Sequence, residues 1–290
     1  MDLYAALLQP FVEFGFMRRA LVACLALSFG SGPVGVLLVL RRMSLVGDAL
    51  SHAVLSGAAT AFMIAGLSFV AMSLGGFIAG LVVAMLSGAV ARMTPQREDA
   101  SFAAFCVISL ALGVLIVSTH GSNIDLMHVL FGTILAVDDA SLLLIVSVAT
   151  LTLIMLAVFG RGLVVECFDP GFLRASGGPG AILHFVFLTL VVLNLVAGFH
   201  ALGTLMAIGL MILPAAVSRF WAREVAMLAA LSSLIAFASG YVGLLFSYHA
   251  NLASGPAIIL VAGGVYIASF AFGSHGSLRA QFLMRRRLEA

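Results

Sequence analysis

Asp48 and His52 stand four residues apart in the stretch RRMSLVGDALSHAVLSGAAT, residues 41 to 60, which otherwise has the composition of a membrane-spanning helix. Ser44, Asp48, His52, Ser56 and Thr60 recur at that interval, and residues four apart are neighbours on a helix surface. The pattern predicts a polar stripe on an apolar cylinder. An ionisable side chain near the bilayer centre costs about 2.5 to 3.5 kcal/mol on insertion scales, so it ordinarily faces a partner helix or a watery path. A carboxylate and an imidazole so placed can grip one divalent cation. The competing reading is an intramembrane hydrogen-bonded pair that fixes helix packing. Coordination needs neutral imidazole and ionised carboxylate, so a metal site here weakens as pH falls. Two ligands do not complete a shell, and the rest must come from elsewhere.

Asp125 and His128, three residues apart, are the next candidates for ligands. Their surroundings, Leu126 to Val137, form an apolar run shorter than the roughly 17 to 25 residues a span requires, which predicts a re-entrant half-helix. His200 and His249 fall at expected outer turns, where they could escort an incoming ion or simply be solvated. His120, His184 and His275 have no companions nearby in the sequence. Met43, Met206 and Met211 carry soft sulfur, but Met within a span ordinarily packs.

The elements that must hold these groups are helices in lipid. Of the 290 residues, 63% are hydrophobic and only 9% charged, against about 25% charged in soluble domains. The chain is expected to be an all-α polytopic membrane protein, one transmembrane domain over 1–290. All 14 basic residues are arginine, so no lysine exists to complete a phosphate-binding GxxxxGK[ST] loop, and the chain cannot be a P-loop ATPase by itself. Cys24, Cys106 and Cys167 form no CxxC pair and imply no disulfide framework. The intramembrane protease patterns HExxH, GxSxG and GxGD are absent, so an enzyme is not expected. No removable leader is expected either; the first span does the targeting. A formal charge of +2 calls for no nucleic acid.

Residues 1–19 read as an interfacial lead-in. A first span follows from about Ala20 to Leu40, kinked at Gly30-Ser31-Gly32-Pro33. After Arg41-Arg42 the only charge before Arg92 is Asp48, so the chain crosses twice and turns near Gly66 to Ser68. Gly76 and Gly80 on the returning helix have GxxxG spacing, which permits close helix contact. A fourth span ends near Ser118 and a fifth runs from about Ala140 to Gly160. Two more fill Ala181 to Ser218 with a turn near His200, and the last two cover Val225 to Ser247 and Gly255 to Phe272, giving eight or nine in all. Four loops and the tail 274–290, which together bear twelve of the 14 arginines, fall on one side; the positive-inside rule makes that side cytoplasmic. In the connector 161–180, Asp169-Pro170 offers a helix start and Gly177-Gly178 a stop. A short capped helix there suits docking of a partner.

These residues resemble a known family. RRMSLVGDALSHAVLSG is similar to the signature of the membrane-spanning permease of bacterial ABC importers for zinc, manganese or iron. The likeness continues through NIDLMHVLFGTIL, CFDPGFLRASGG, ALGTLMAIGLMILPAAVSRF and LASGPAIILVAGG, in order along nearly the whole chain. It implies a fold like that of the vitamin B12 permease, a type II importer, with a short re-entrant pore helix. It also implies a homodimer in the bacterial inner membrane with the ion path between two copies, a separate ATPase subunit beneath each, and a periplasmic binding protein delivering the metal. No permanently bound cofactor is implied. By position, Asp48 and His52 would be path-lining ligands, and Leu130-Phe131-Gly132 would mark the pore helix. Phe168 to Gly177 would be the coupling helix, with Asp169, Pro170, Phe172, Leu173 and Ala175 between. The family often has Pro where Ser56 stands and Asp where Asn251 stands. The resemblance leaves the metal open among zinc, manganese and iron; imidazole chemistry, with His200 and His249 on the outer route, leans towards zinc. The competing class is a self-contained transporter that exchanges protons for metal at Asp48 and His52.

Overall fold

The computed structural model of the chain describes residues 7–66, 68–95, 98–119 and 137–279. It is helical throughout the described residues: α1 (Gln9–Glu13), α2 (Gly15–Leu40), α3 (Ser44–Ala65), α4 (Phe69–Met93), α5 (Glu98–Thr119), α6 (Asp139–Phe168), α7 (Pro170–Ala175), α8 (Gly180–Leu202), α9 (Thr204–Ser218), α10 (Val225–Ala250) and α11 (Ser254–Phe272). Eight of these are long and apolar enough to cross a membrane, and α9 is a shorter apolar helix.

Three boundaries differ from expectation. The first spanning helix starts at Gly15 rather than Ala20, because the two arginines Arg18 and Arg19 are carried on its opening turns and Arg19 pairs with Asp139 of α6 at 3.2 Å. The fifth span does not stop at Gly160: α6 continues for 30 residues to Phe168, through Arg161 and Glu166. Neither charge breaks a helix, and both stand on its arginine-rich end. The turn expected at His200 lies at Gly203, whose φ of 78° lets one residue reverse the chain between α8 and α9.

Helix α2 runs unbroken through Pro33 at the centre of the bundle. Proline removes the donor that would bond the Phe29 carbonyl, and beside it the Gly32 carbonyl accepts the Ser232 hydroxyl of α10 at 3.1 Å, which ties α2 to α10. Helix α3 is seated against α4 at Gly57 and Gly75, where a Cβ on either would strike the backbone carbonyl of the other. Gly76 and Gly80 extend that seam, both lying against Val54 of α3, so the GxxxG spacing is used for close packing. The core beneath joins α3, α4 and α8 through Leu50, Val54, Val83, Phe187 and Val191, all buried.

Candidate functional site

Helix α3 positions Asp48 and His52 one turn apart. His52 Nε2 lies 3.8 Å from Asp48 Oδ1, and the side chains are 34% and 58% exposed on the single chain. The flanking residues Val46, Ala49, Leu50 and Ala53 are buried, so the helix turns its apolar side inward and presents the pair outward. The stripe does not stay on one face, however. Each step of four residues advances about 40° beyond a full turn in a 3.6-residue helix, so Ser56 and Thr60 have rotated well away from Asp48. Ser56 is buried against α5, where its hydroxyl meets that of Ser109 at 2.6 Å, and Thr60 Oγ1 donates to the Ser56 carbonyl at 2.8 Å. The position where the family often has proline is thus a helix contact, and Gly113 of α5 gives it room.

Among the described residues, no group of three or more His, Cys, Asp or Glu side chains stands together as a metal shell. Asp48 and His52 thus stand as a pair, with no third such side chain beside them among the described residues. Asp125, His128 and the 130–132 segment lie outside the described residues. His249 closes α10, its Nδ1 donating to the Leu245 carbonyl at 2.9 Å, so one ring nitrogen is committed to its own helix. His200 belongs to the last turn of α8. Asn251 takes a left-handed conformation, φ 50°, at the end of α10, a backbone task for which asparagine is suited. Met43, Met206 and Met211 are buried and serve packing.

The short helix in the connector forms as expected. Asp169 Oδ1 accepts the Phe172 backbone N–H at 2.8 Å, an N-terminal cap, and Gly177 at φ 73° ends the element in the left-handed region. Phe168, the last residue of α6, and Phe172 on α7 are 64% and 62% exposed, so two aromatics stand open on either side of the Asp169 cap.

Beside that helix the structure assembles a polar cluster from residues that are far apart in sequence. His184, which has no companion by spacing, lies with its Nε2 3.0 Å from Glu98 Oε1 of α5, within ion-pair reach but off the axis of a hydrogen bond. Its Nδ1 accepts from Arg41 Nη1 at 2.8 Å. A guanidinium can only donate, so the imidazole proton sits on Nε2, facing the carboxylate. Arg41 Nε donates to Cys167 Sγ at 3.2 Å, its Nη2 is 3.9 Å from Glu166 Oε1, and its guanidinium carbon lies 4.3 Å from the centre of the Phe187 ring. The cluster lines a cavity of about 890 Å³ whose rim is formed by Pro170 and Gly178-Pro179-Gly180.

With this geometry in view, comparison with known proteins decides the class. Residues 13–273 match the ABC 3 transport family. The chain belongs to that family. The manganese import system permease protein ScaB of Streptococcus gordonii is 31% identical over 91% of this chain and 93% of its own length. The manganese transport system membrane protein MntC of Listeria innocua is 32% identical over the same shares, and the chelated iron transport system membrane protein YfeD of Yersinia pestis is 29% identical over 89% and 86%. Among solved structures, PsaBC from Streptococcus pneumoniae in complex with Fab superposes with a TM-score of 0.79 at 31% identity, covering 92% of this chain and 95% of that one. This family member is accordingly a permease of a metal ABC importer and a multi-pass protein of the bacterial inner membrane. The lean towards zinc is not supported: these relatives are named for manganese or iron.

Proposed function

We propose that this permease admits manganese to the cytoplasm, with iron as the second substrate, through a path lined by Asp48 and His52. The observation that carries the reading is the outward, half-exposed acid and imidazole on α3, which no third His, Cys, Asp or Glu joins among the described residues. Two copies meeting across that face supply four protein ligands, two carboxylates and two imidazoles. An oxygen-rich mixed set suits manganese, whereas all-imidazole or thiolate sets favour zinc. The manganese relatives support the same choice.

Transport is by alternating access. A loaded binding protein docks outside, the cation pauses at Asp48 and His52, and a separate ATPase subunit seats against Phe168 and Phe172 of the α7 segment. Hydrolysis resides in that partner chain. Purified permease in liposomes, with and without its ATPase and binding protein, tests the reading with radiolabelled manganese. Uptake is expected only when both partners and ATP are present, with iron weaker and zinc weakest. Uptake by the permease alone in a pH gradient would establish the proton-coupled class instead, and zinc-only transport would overturn the metal.

A further inference from the structure

We infer that Arg41 is a positioning residue that carries the displacement of α7 to α3, and so links the ATPase-facing helix to the helix bearing Asp48 and His52. This rests on the functional reading above.

Arg41 caps the C-terminus of α2 and stands three residues before Ser44, the first residue of α3. Its side chain does not point along that joint. It reaches to the last turn of α6, bonding Cys167 at 3.2 Å and pairing with Glu166 at 3.9 Å, two and three residues before Asp169, the cap of α7. The same guanidinium holds His184 in the first turns of α8, and His184 in turn faces Glu98 at the start of α5. One planar, multiply donating group therefore ties the α2–α3 joint to both ends of the α7 segment, a task for which a point charge cannot substitute.

The burial of these groups makes the link stiff. The side chains of Arg41, Glu166 and His184 are only 7%, 10% and 10% exposed. In such surroundings water does not replace a broken contact, so the cluster moves as a unit or comes apart at high cost. The joint itself is the compliant part. Arg42 adopts φ 59°, a left-handed conformation uncommon outside glycine, which persists only where its surroundings hold it. Such a joint changes the direction of α3 when its anchor shifts. The cavity beside the cluster leaves room for that shift, and Pro170 of α7 is among the residues that line it.

The test uses the full complex of permease, ATPase and binding protein in liposomes, and reads metal imported per ATP hydrolysed. Coupled uptake by the native complex tests the functional reading; only the departure of a variant tests Arg41. Arg41→Lys keeps the buried positive charge but cannot bond Cys167, His184 and Glu166 together. It is expected to assemble with basal ATP hydrolysis within about twofold of native, while metal per ATP falls about fivefold or more, the lower end of ordinary coupling between sites. Cys167→Ala, which removes one of the three bonds and no charge, is expected to shift the ratio in the same direction by less. A native ratio in Arg41→Lys overturns the inference. So does a variant complex that no longer retains the ATPase, since that result makes Arg41 a structural brace rather than a link.

Discussion

Among the described residues, two places set an imidazole beside a carboxylate, and they are built in opposite ways. Asp48 and His52 come from one turn of one helix, lie 3.8 Å apart and face outward, with no third His, Cys, Asp or Glu beside them among the described residues. His184 and Glu98 come from two helices, lie 3.0 Å apart at the arginine-rich end, and are enclosed with Arg41 and Glu166. The same side-chain types serve two ends. The open pair is the one proposed above to take a cation; the other, closed and matched with a guanidinium, fastens helices to one another. The difference lies in what surrounds the groups.

The contrast yields tests in descending order of effect. Asp48→Ala or His52→Ala is expected to abolish metal uptake, by about 100-fold or more, beyond what loss of an outer-shell partner costs. Both variants should still bind the ATPase, because the pair stands on another helix from α7. Normal uptake in both would break the distinction at its first term. In the closed cluster the loss should instead appear in stability: Glu166→Ala leaves the Arg41 guanidinium buried with less counter-charge and should cost about 3 kcal/mol, read by thermal unfolding in detergent. Asp48→Asn, at a half-exposed site, should leave the unfolding temperature nearly unchanged. Phe172→Ala removes an exposed aromatic from α7 and should weaken ATPase association about tenfold, the usual cost of a moderate interface anchor, measured by titration of the purified partner. The smallest effect belongs to Asn251. Replacement by Ala should lose about 1 kcal/mol through its left-handed backbone, while Gly should be tolerated and both should transport metal normally. A transport defect in the Gly variant would give Asn251 an ion-handling role rather than a backbone one.

Much of this organisation can be read from local pattern. Hydropathy marks the spans, because a helix in lipid needs an unbroken apolar run. Asp169-Pro170 and Gly177 delimit α7 because capping chemistry acts over three or four residues. The Asp48/His52 spacing shows a shared turn because consecutive turns are set by helix geometry alone. Locating the ends of α2 and α6 is harder, since Arg18, Arg161 and Glu166 look like loop residues until their places on the helix ends are seen.

What the sequence by itself determined is therefore everything governed by short-range geometry and solvent: an all-helical membrane chain, no ATPase loop, a candidate ligand pair and a capped docking helix. Only the tertiary structure decided that Ser56 is a packing residue rather than part of the path, and that His184 has partners at all. Arg41 finds Cys167 and His184 at separations of 126 and 143 residues. No local spacing records such a meeting. In a chain that is 63% hydrophobic, most helix faces are apolar, so periodicity says little about which face meets which neighbour. That choice is made by close fits such as Gly57 on Gly75 and by the need of buried charges to find one another.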